Sequence, residues 1–183
     1  MSYDIANGRI EPCKDAVGGL DAIYIINYGD YSYPNDLTYN VTNTDVIDDI
    51  NNVTNVYKFE LKGTNSFEQT INSSRDNGTT FVEQVLVANL KKQDVATHKM
   101  VKLLAYGRPH IVVRNRNNQF FLAGVERGMD VTAGTISNGT ALGDFSGYTL
   151  TFTGMENIPA NFLNCSTEVG LRTVLSNATI VTV

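Results

Sequence analysis

Tryptophan is missing altogether, and the 183 residues hold only two histidines, two cysteines and four prolines. With so few imidazoles and thiols, and no Cys/His/carboxylate cluster, no zinc-ligand spacing arises. Long apolar runs are missing as well: none approaches the ~18 residues that mark a membrane-spanning helix. The stretch Met1-Ser2-Tyr3-Asp4-Ile5-Ala6-Asn7-Gly8 lacks the basic and apolar regions of an export signal. The expectation is a chain with neither a membrane span nor a secretory route, in which Cys13 and Cys165 stay reduced. The Asn-x-Ser/Thr triplets at Asn40, Asn52, Asn72, Asn77, Asn138, Asn164 and Asn177 then read as chance products of an Asn- and Thr-rich chain.

Charge is scarce too, at 18% against the ~25% of an average soluble domain, and its balance is acidic, with a net charge of −5. Holding nucleic acid tightly takes clustered Lys and Arg to neutralise phosphates, so that function is excluded; a wall past which DNA moves is not. Asn, Thr and Gly fill the place of the missing charges, a mixture suited to strands and tight turns. A chain of this length forms a single core that buries roughly 70% of its unfolded surface, so residues 1–183 are read as one domain.

The stretch from Val101 to Gly154 organises the rest. Asp94 is a helix N-cap, Ala96, Met100, Leu103 and Leu104 recur at spacings of three to four, and Gly107-Arg108-Pro109 stops the helix, which places it over about residues 94–106. Two strands follow, joined at Asn115-Arg116-Asn117-Asn118. Gly124 to Gly143 reads as an ordered loop with a short strand at Met129 to Ala133. Tyr148 to Thr153 alternates Tyr148, Leu150 and Phe152 against a threonine face that is solvated or paired across strands.

Upstream, residues 1–19 form an arm ending in Gly18-Gly19, and Ala22-Ile23-Tyr24-Ile25-Ile26 is an apolar strand buried on both faces or in a barrel. Residues 29–43 read as a long loop whose Tyr31 and Tyr33 suit contacts. Thr44 to Asn51 is a short edge strand. Asn55 to Leu61 alternates with period two, and Ser66 to Ser74 pairs with Thr80 to Leu90 across the hairpin signal Asn77-Gly78. Ser166 to Leu175 holds a helical turn, and residues 178–183 are a terminal strand or arm.

Nothing in this pattern performs chemistry. His98 and His110 have no nucleophile or orienting carboxylate near them in sequence. Asp45, Asp48 and Asp49 lack the Asp-x-Asp-x-Asp-Gly loop of a calcium site and suit an acidic edge that resists strand aggregation. Gly139-Thr140-Ala141-Leu142-Gly143-Asp144 is a shaped turn without the Gly-Lys-Ser/Thr of a phosphate loop. Neither catalytic residues, nor a metal, nor a cofactor are expected. Arg108, Arg114, Arg116 and Arg127 form one basic neighbourhood, either a balanced surface or a face that pairs with an acidic region of another copy.

Ile111-Val112-Val113-Arg114-Asn115-Arg116-Asn117-Asn118-Gln119-Phe120-Phe121-Leu122-Ala123-Gly124, Val131-Thr132-Ala133-Gly134-Thr135, and the run from Gly139 through Gly147-Tyr148-Thr149-Leu150-Thr151-Phe152-Thr153-Gly154 to Glu156 together resemble virion structural proteins of tailed bacteriophages. The likeness covers about residues 80–160 and is to the tail-tube or tail-hub type found in Bacteroidetes phages, including the crAss-like group. What the resemblance implies is a mainly β, tail-tube-like fold, an antiparallel β-sandwich or barrel with one flanking α-helix, built into a hexameric ring of the virion tail. Its partners would be copies of itself and other tail or connector proteins, with DNA passing through unbound, no membrane, and synthesis in the host cytoplasm. On this reading Tyr31, Tyr33, Pro34, Arg108, Arg114 and Arg116 are expected at the subunit interface, and Glu68, Gln69, Glu83 and Gln84 at the lumen. Deleting residues 29–43 is expected to spare folding and abolish assembly. A head-tail connector or a capsid decoration protein is the alternative within that class. A carbohydrate-binding β-sandwich with Tyr31 and Tyr33 as a sugar platform is the alternative outside it, and the missing tryptophan counts against it.

Overall fold

The computed structural model describes Ile5 and residues 7–182; Met1 to Asp4, Ala6 and Val183, which belong to the two expected terminal arms, lie outside the described residues. The chain is mainly β, a two-sheet sandwich with a flanking helix. In order come β1 (Leu20–Ile26), β2 (Leu37–Tyr39), β3 (Val46–Ile50), β4 (Asn55–Glu60), β5 (Ser66–Ser74), β6 (Thr79–Lys91), α1 (Val95–Leu104), β7 (His110–Asn115), β8 (Phe120–Ala123), β9 (Asp130–Ser137), β10 (Gly147–Glu156), β11 (Asn161–Leu163), α2 (Glu168–Val174) and β12 (Thr179–Val181). One sheet has eight strands in the order β12-β4-β1-β7-β8-β11-β3-β2, and the other has four in the order β5-β6-β10-β9.

The eight-stranded sheet is covered on both faces, which is why β1 reads as an unbroken apolar run. Ala22, Tyr24 and Ile26 face one cluster with Val112, Phe120 and Leu122, closed over by Leu171, Val174 and Leu175 of α2 and its C-cap. Ile23 faces the second cluster with Ile111 and Val113, against Leu86 and Ala88 of β6 and Tyr148, Leu150 and Phe152 of β10. Leu20 joins this second cluster despite its even number. A register shift between Leu20 and Ala22 against β7 puts one extra residue there and flips the side-chain alternation.

The four-stranded sheet has only one covered face, so its strands alternate. Tyr148, Leu150 and Phe152 point inward, while Thr149, Thr151 and Thr153 point away. Strand β9 is exposed along most of its length, and without an apolar period only Met129 to Ala133 reads as strand in sequence, although the strand runs to Ser137 and seven of its eight residues pair with β10. Helix α1 starts where expected: the Asp94 carboxylate accepts the Thr97 N–H at 2.8 Å, and only Val101 of the helix is buried.

Three expectations need correction. The large sheet is mixed, because β12 lies parallel to β4 and β11 parallel to β3; these short strands return after long connections that allow a parallel approach. Strand β3 is not an edge, since it sits between β11 and β2. Residues 29–43 are no free loop: they contain β2, and Tyr31 and Leu37 sit in the first cluster. Removing them would take Tyr31 and Leu37 out of the core, which argues against the expectation that a deletion spares folding.

Candidate assembly surface

The residues expected at an interface separate into core and surface. Tyr31 is 5% exposed. Its hydroxyl donates to the Val125 carbonyl at 2.7 Å and lies 3.0 Å from His110 Nδ1. A buried phenol so held can form neither a subunit contact nor a sugar platform, so both expectations fail for Tyr31. Tyr33 is half-buried against the first cluster, and Pro34 is exposed. Arg108 is exposed, lies over the Tyr28 ring at 5.2 Å, donates to the Arg127 carbonyl and reaches Asp130 at 3.8 Å. Arg114 lies over Phe120 and donates to Asn118 across its own hairpin. Arg116 reaches the Gly18 carbonyl and Asp21, so it braces the start of β1. These three arginines are engaged within the chain, and only Arg108 and Arg116 are exposed.

The four residues expected to line a lumen divide two and two. Gln69 stands directly opposite Gln84 across β5 and β6, so both are on the inner side, while their sequence neighbours Glu68 and Glu83 are on the outer side. Gln84 is fully buried and accepts the Gly124 N–H at 2.9 Å, and Gln69 accepts the Ala160 N–H at 2.7 Å. Adjacent strand residues cannot share a face. Glu68 and Glu83 keep their place as candidates, and Gln69 and Gln84 lose theirs.

A buried polar network emerges that sequence reasoning missed. His110, 2% exposed, donates Nδ1–H to the Gly124 carbonyl, since a carbonyl can only accept. Glu156, 1% exposed, accepts the N–H groups of Glu126 and Arg127 at 3.1 and 2.8 Å. Together with Tyr31 and Gln84, these side chains secure the backbone of residues 124–127 between β8 and β9. Gly124 has φ +64°, and a Cβ there would meet Gly128 backbone at 2.6 Å. Burial raises the Glu156 carboxyl above the ordinary range against the pull of the two N–H groups, and burial lowers the His110 imidazole. Each of these four side chains holds a backbone group, while Gln84 Nε2 is buried without a partner, and the bonds they make fix the course of residues 124–127. The signal available in sequence was a lone Glu at an inward position of β10, in step with Phe152 and Gly154.

Other sequence candidates stay apart. His98 is exposed beside Tyr148. The Asp48 carboxylate accepts from the Asn40 and Asn164 amides, tying β2 and β11 to β3. Among the described residues no group of three or more His, Cys, Asp or Glu could hold a metal, and no helix is long and apolar enough to cross a membrane.

What is open is the four-stranded sheet. Its edge strands β5 and β9 each pair on one side only. Neither carries Lys or Pro; the protection present is one acidic residue on each, Glu68 and Asp130, and a register shift in the β9–β10 pair between Thr151 and Phe152. The β5–β6 hairpin also runs past β10. Ile71 pairs with Val82, the last β6 residue matched in β10, and beyond it Asn72, Ser73 and Ser74 pair only with Phe81, Thr80 and Thr79. Exposed apolar residues mark further surfaces: Val95, Leu103 and Tyr106 on and after α1, and Ile136, Leu142 and Phe145 around the β9–β10 connection. No protein-family model, curated protein or solved structure matches this chain.

Proposed function

We propose that this chain is a non-enzymatic structural protein of a phage virion that associates head to tail with its own copies into a ring of the tail. The observation that supports this most directly is the open four-stranded sheet: two free edges on one molecule are two different surfaces. Contacts between unlike surfaces propagate around a rotation and close into rings when the angle divides the circle. An isolated two-stranded ribbon is marginal in water, and the overhanging tip of β5–β6 gains most from a neighbour. Each joint is weak alone, and closure holds all of them at once.

The outer face of the sheet suits the wall of a channel. Its threonines on β10 are polar and uncharged, and Glu68 and Glu83 add negative charge that repels a phosphate backbone. DNA would pass without being held. The neighbours in the virion would be other tail or connector proteins. The test is solution mass by light scattering over a concentration series: masses at a fixed multiple of the 20.1 kDa chain are expected, and a monomer at every concentration would overturn the reading.

A further inference from the structure

The N-terminal arm carries apolar side chains with nothing to cover them. Ile5 and Ile10 are 91% and 92% exposed, and Val17 is 58% exposed. Between residues 7 and 17 the described backbone bonds are Asp15 N–H to the Cys13 carbonyl and Val17 N–H to the Asn117 side chain, the second of which pins the root of the arm. Residues 7–16 are exposed and belong to no helix or strand.

That root stands at the rim of a cleft of about 390 Å³ between the β5 edge and the face of the large sheet. The floor is apolar, with Val113, Phe67 and Phe121, and the aromatic line continues to Phe162, 4.6 Å from Phe121 between ring centroids. Asn65 lines the cleft at 8% exposure, and its Nδ2 has no hydrogen-bond partner. The side of the cleft is the free backbone edge of β5. An apolar floor, an idle amide donor and an open strand edge are together what an extended peptide fills when it adds a strand.

The geometry points to the arm of a second copy as that peptide, lying antiparallel along β5 with Ile10 opposite Phe67. This inference rests on the head-to-tail reading above, with the arm, and not β9, as the surface that meets β5. The register follows from charge and from proline. With Ile10 turned to the floor, Arg9 falls on the outer face opposite Glu68. The only charges on β5 and on the stretch of β6 paired with it are Glu68 and Glu83, both negative. Pro12, which has no N–H to give, then falls opposite Asn65, one residue before β5 begins, where no ladder bond is required. Shifting the arm by two residues puts Glu11 against Glu68, like charge against like, which disfavours that register. The partner is a second copy because the arm's own root is tied to Asn117 and residues 7–16 ahead of it are exposed in the single chain.

Disulfide trapping on the full-length chain tests the register and the partner together. Antiparallel pairing brings Cys13 opposite Thr64, so the Thr64→Cys chain, with Cys165→Ser to leave one pair of thiols, is oxidised at low protein concentration. Chains covalently linked to one another, resolved on a non-reducing gel and absent from a control with Thr135→Cys, an exposed position on β9, in place of Thr64→Cys, are expected. Cross-links within single chains, or none above the control, would overturn the inference. As a second arm, Arg9→Glu is expected to lower the assembled fraction about tenfold and adding Glu68→Arg to restore it; no loss, or no rescue, would also overturn it. Assembly by light scattering without the trapped link removes the arm and leaves the ring, whereas a monomeric wild-type chain removes the ring itself.

Discussion

The Tyr31 hydroxyl and the His110 imidazole meet 3.0 Å apart although 79 positions separate them, and each also bonds the backbone that joins β8 to β9. A tyrosine from a stretch that looks like a loop thus locks the entry of one central strand to the exit of another. Tyr31→Phe is expected to lower stability by about 1–3 kcal/mol by leaving the Val125 carbonyl without its donor. Tyr31→Ala is expected to cost more, about 3–5 kcal/mol, as the first cluster gains a cavity. Urea unfolding followed by circular dichroism measures both, and equal stability of Tyr31→Phe and wild type would remove the hydroxyl from the account.

His110 makes stability depend on pH with a definite sign. Burial lowers its folded value below the ordinary 6.5, aided by Arg108, while the Gly124 carbonyl and Asp30 act the other way. The unfolded chain therefore binds the proton first. Its contribution is present above 6.5 and is lost as pH falls through the lower folded value. Glu156 has the opposite sign: its folded value is raised, so its contribution is full below the ordinary 4.5 and is lost as pH rises through the folded value. Comparing wild type with His110→Gln cancels Glu156, which both retain. Wild type is expected to lose more stability than the variant on acidification below 6.5; equal losses would contradict this.

The two thiols are expected to differ in reactivity. Cys165 is half-buried against the first cluster, and burial pushes its thiol up to about 12, whereas Cys13 is exposed on the arm. Because the thiolate is the nucleophile, iodoacetamide at mildly alkaline pH should label one site per native chain and two per unfolded chain, counted by mass spectrometry. Two fast labels on the native chain would show that the packing around Cys165 is looser than described.

Much of the fold was legible because burial leaves a period. The doubly covered β1, the alternation of β10, the Asn77-Gly78 hairpin and the Asp94 cap each follow from a local rule and each appear. Elements without such a period were harder to read. Strand β9 has few side chains to bury, β2 and β11 are three residues each, and β11 is held by β3 and β8, both distant in sequence, whereas the turn expected at Ser166 to Leu175 appears as α2. The site suffered for a simpler reason. Glu68 and Gln69, like Glu83 and Gln84, are neighbours on one strand, so the alternation of side chains sends the two members of each pair to opposite faces. Tyr31 went astray because a phenol at a contact and a phenol at a buried hydrogen bond look alike until the partner carbonyl is located.

Gly124 offers a check on the network itself. With φ +64° and the Gly128 backbone 2.6 Å from a Cβ, Gly124→Ala is expected to destabilise by about 2–4 kcal/mol, more than the ~1 kcal/mol of a left-handed alanine alone. The same substitution at Gly78, where nothing lies within 4 Å, isolates the conformational part. Equal losses at the two positions in thermal unfolding would show that the β8–β9 connection has slack.

The central claim is that copies of this chain close into a ring, and negative-stain imaging of the purified protein tests it most directly. End-on class averages with a single rotational order and an open centre are the predicted result. Compact particles with no central opening, at concentrations where light scattering already shows association, would contradict it.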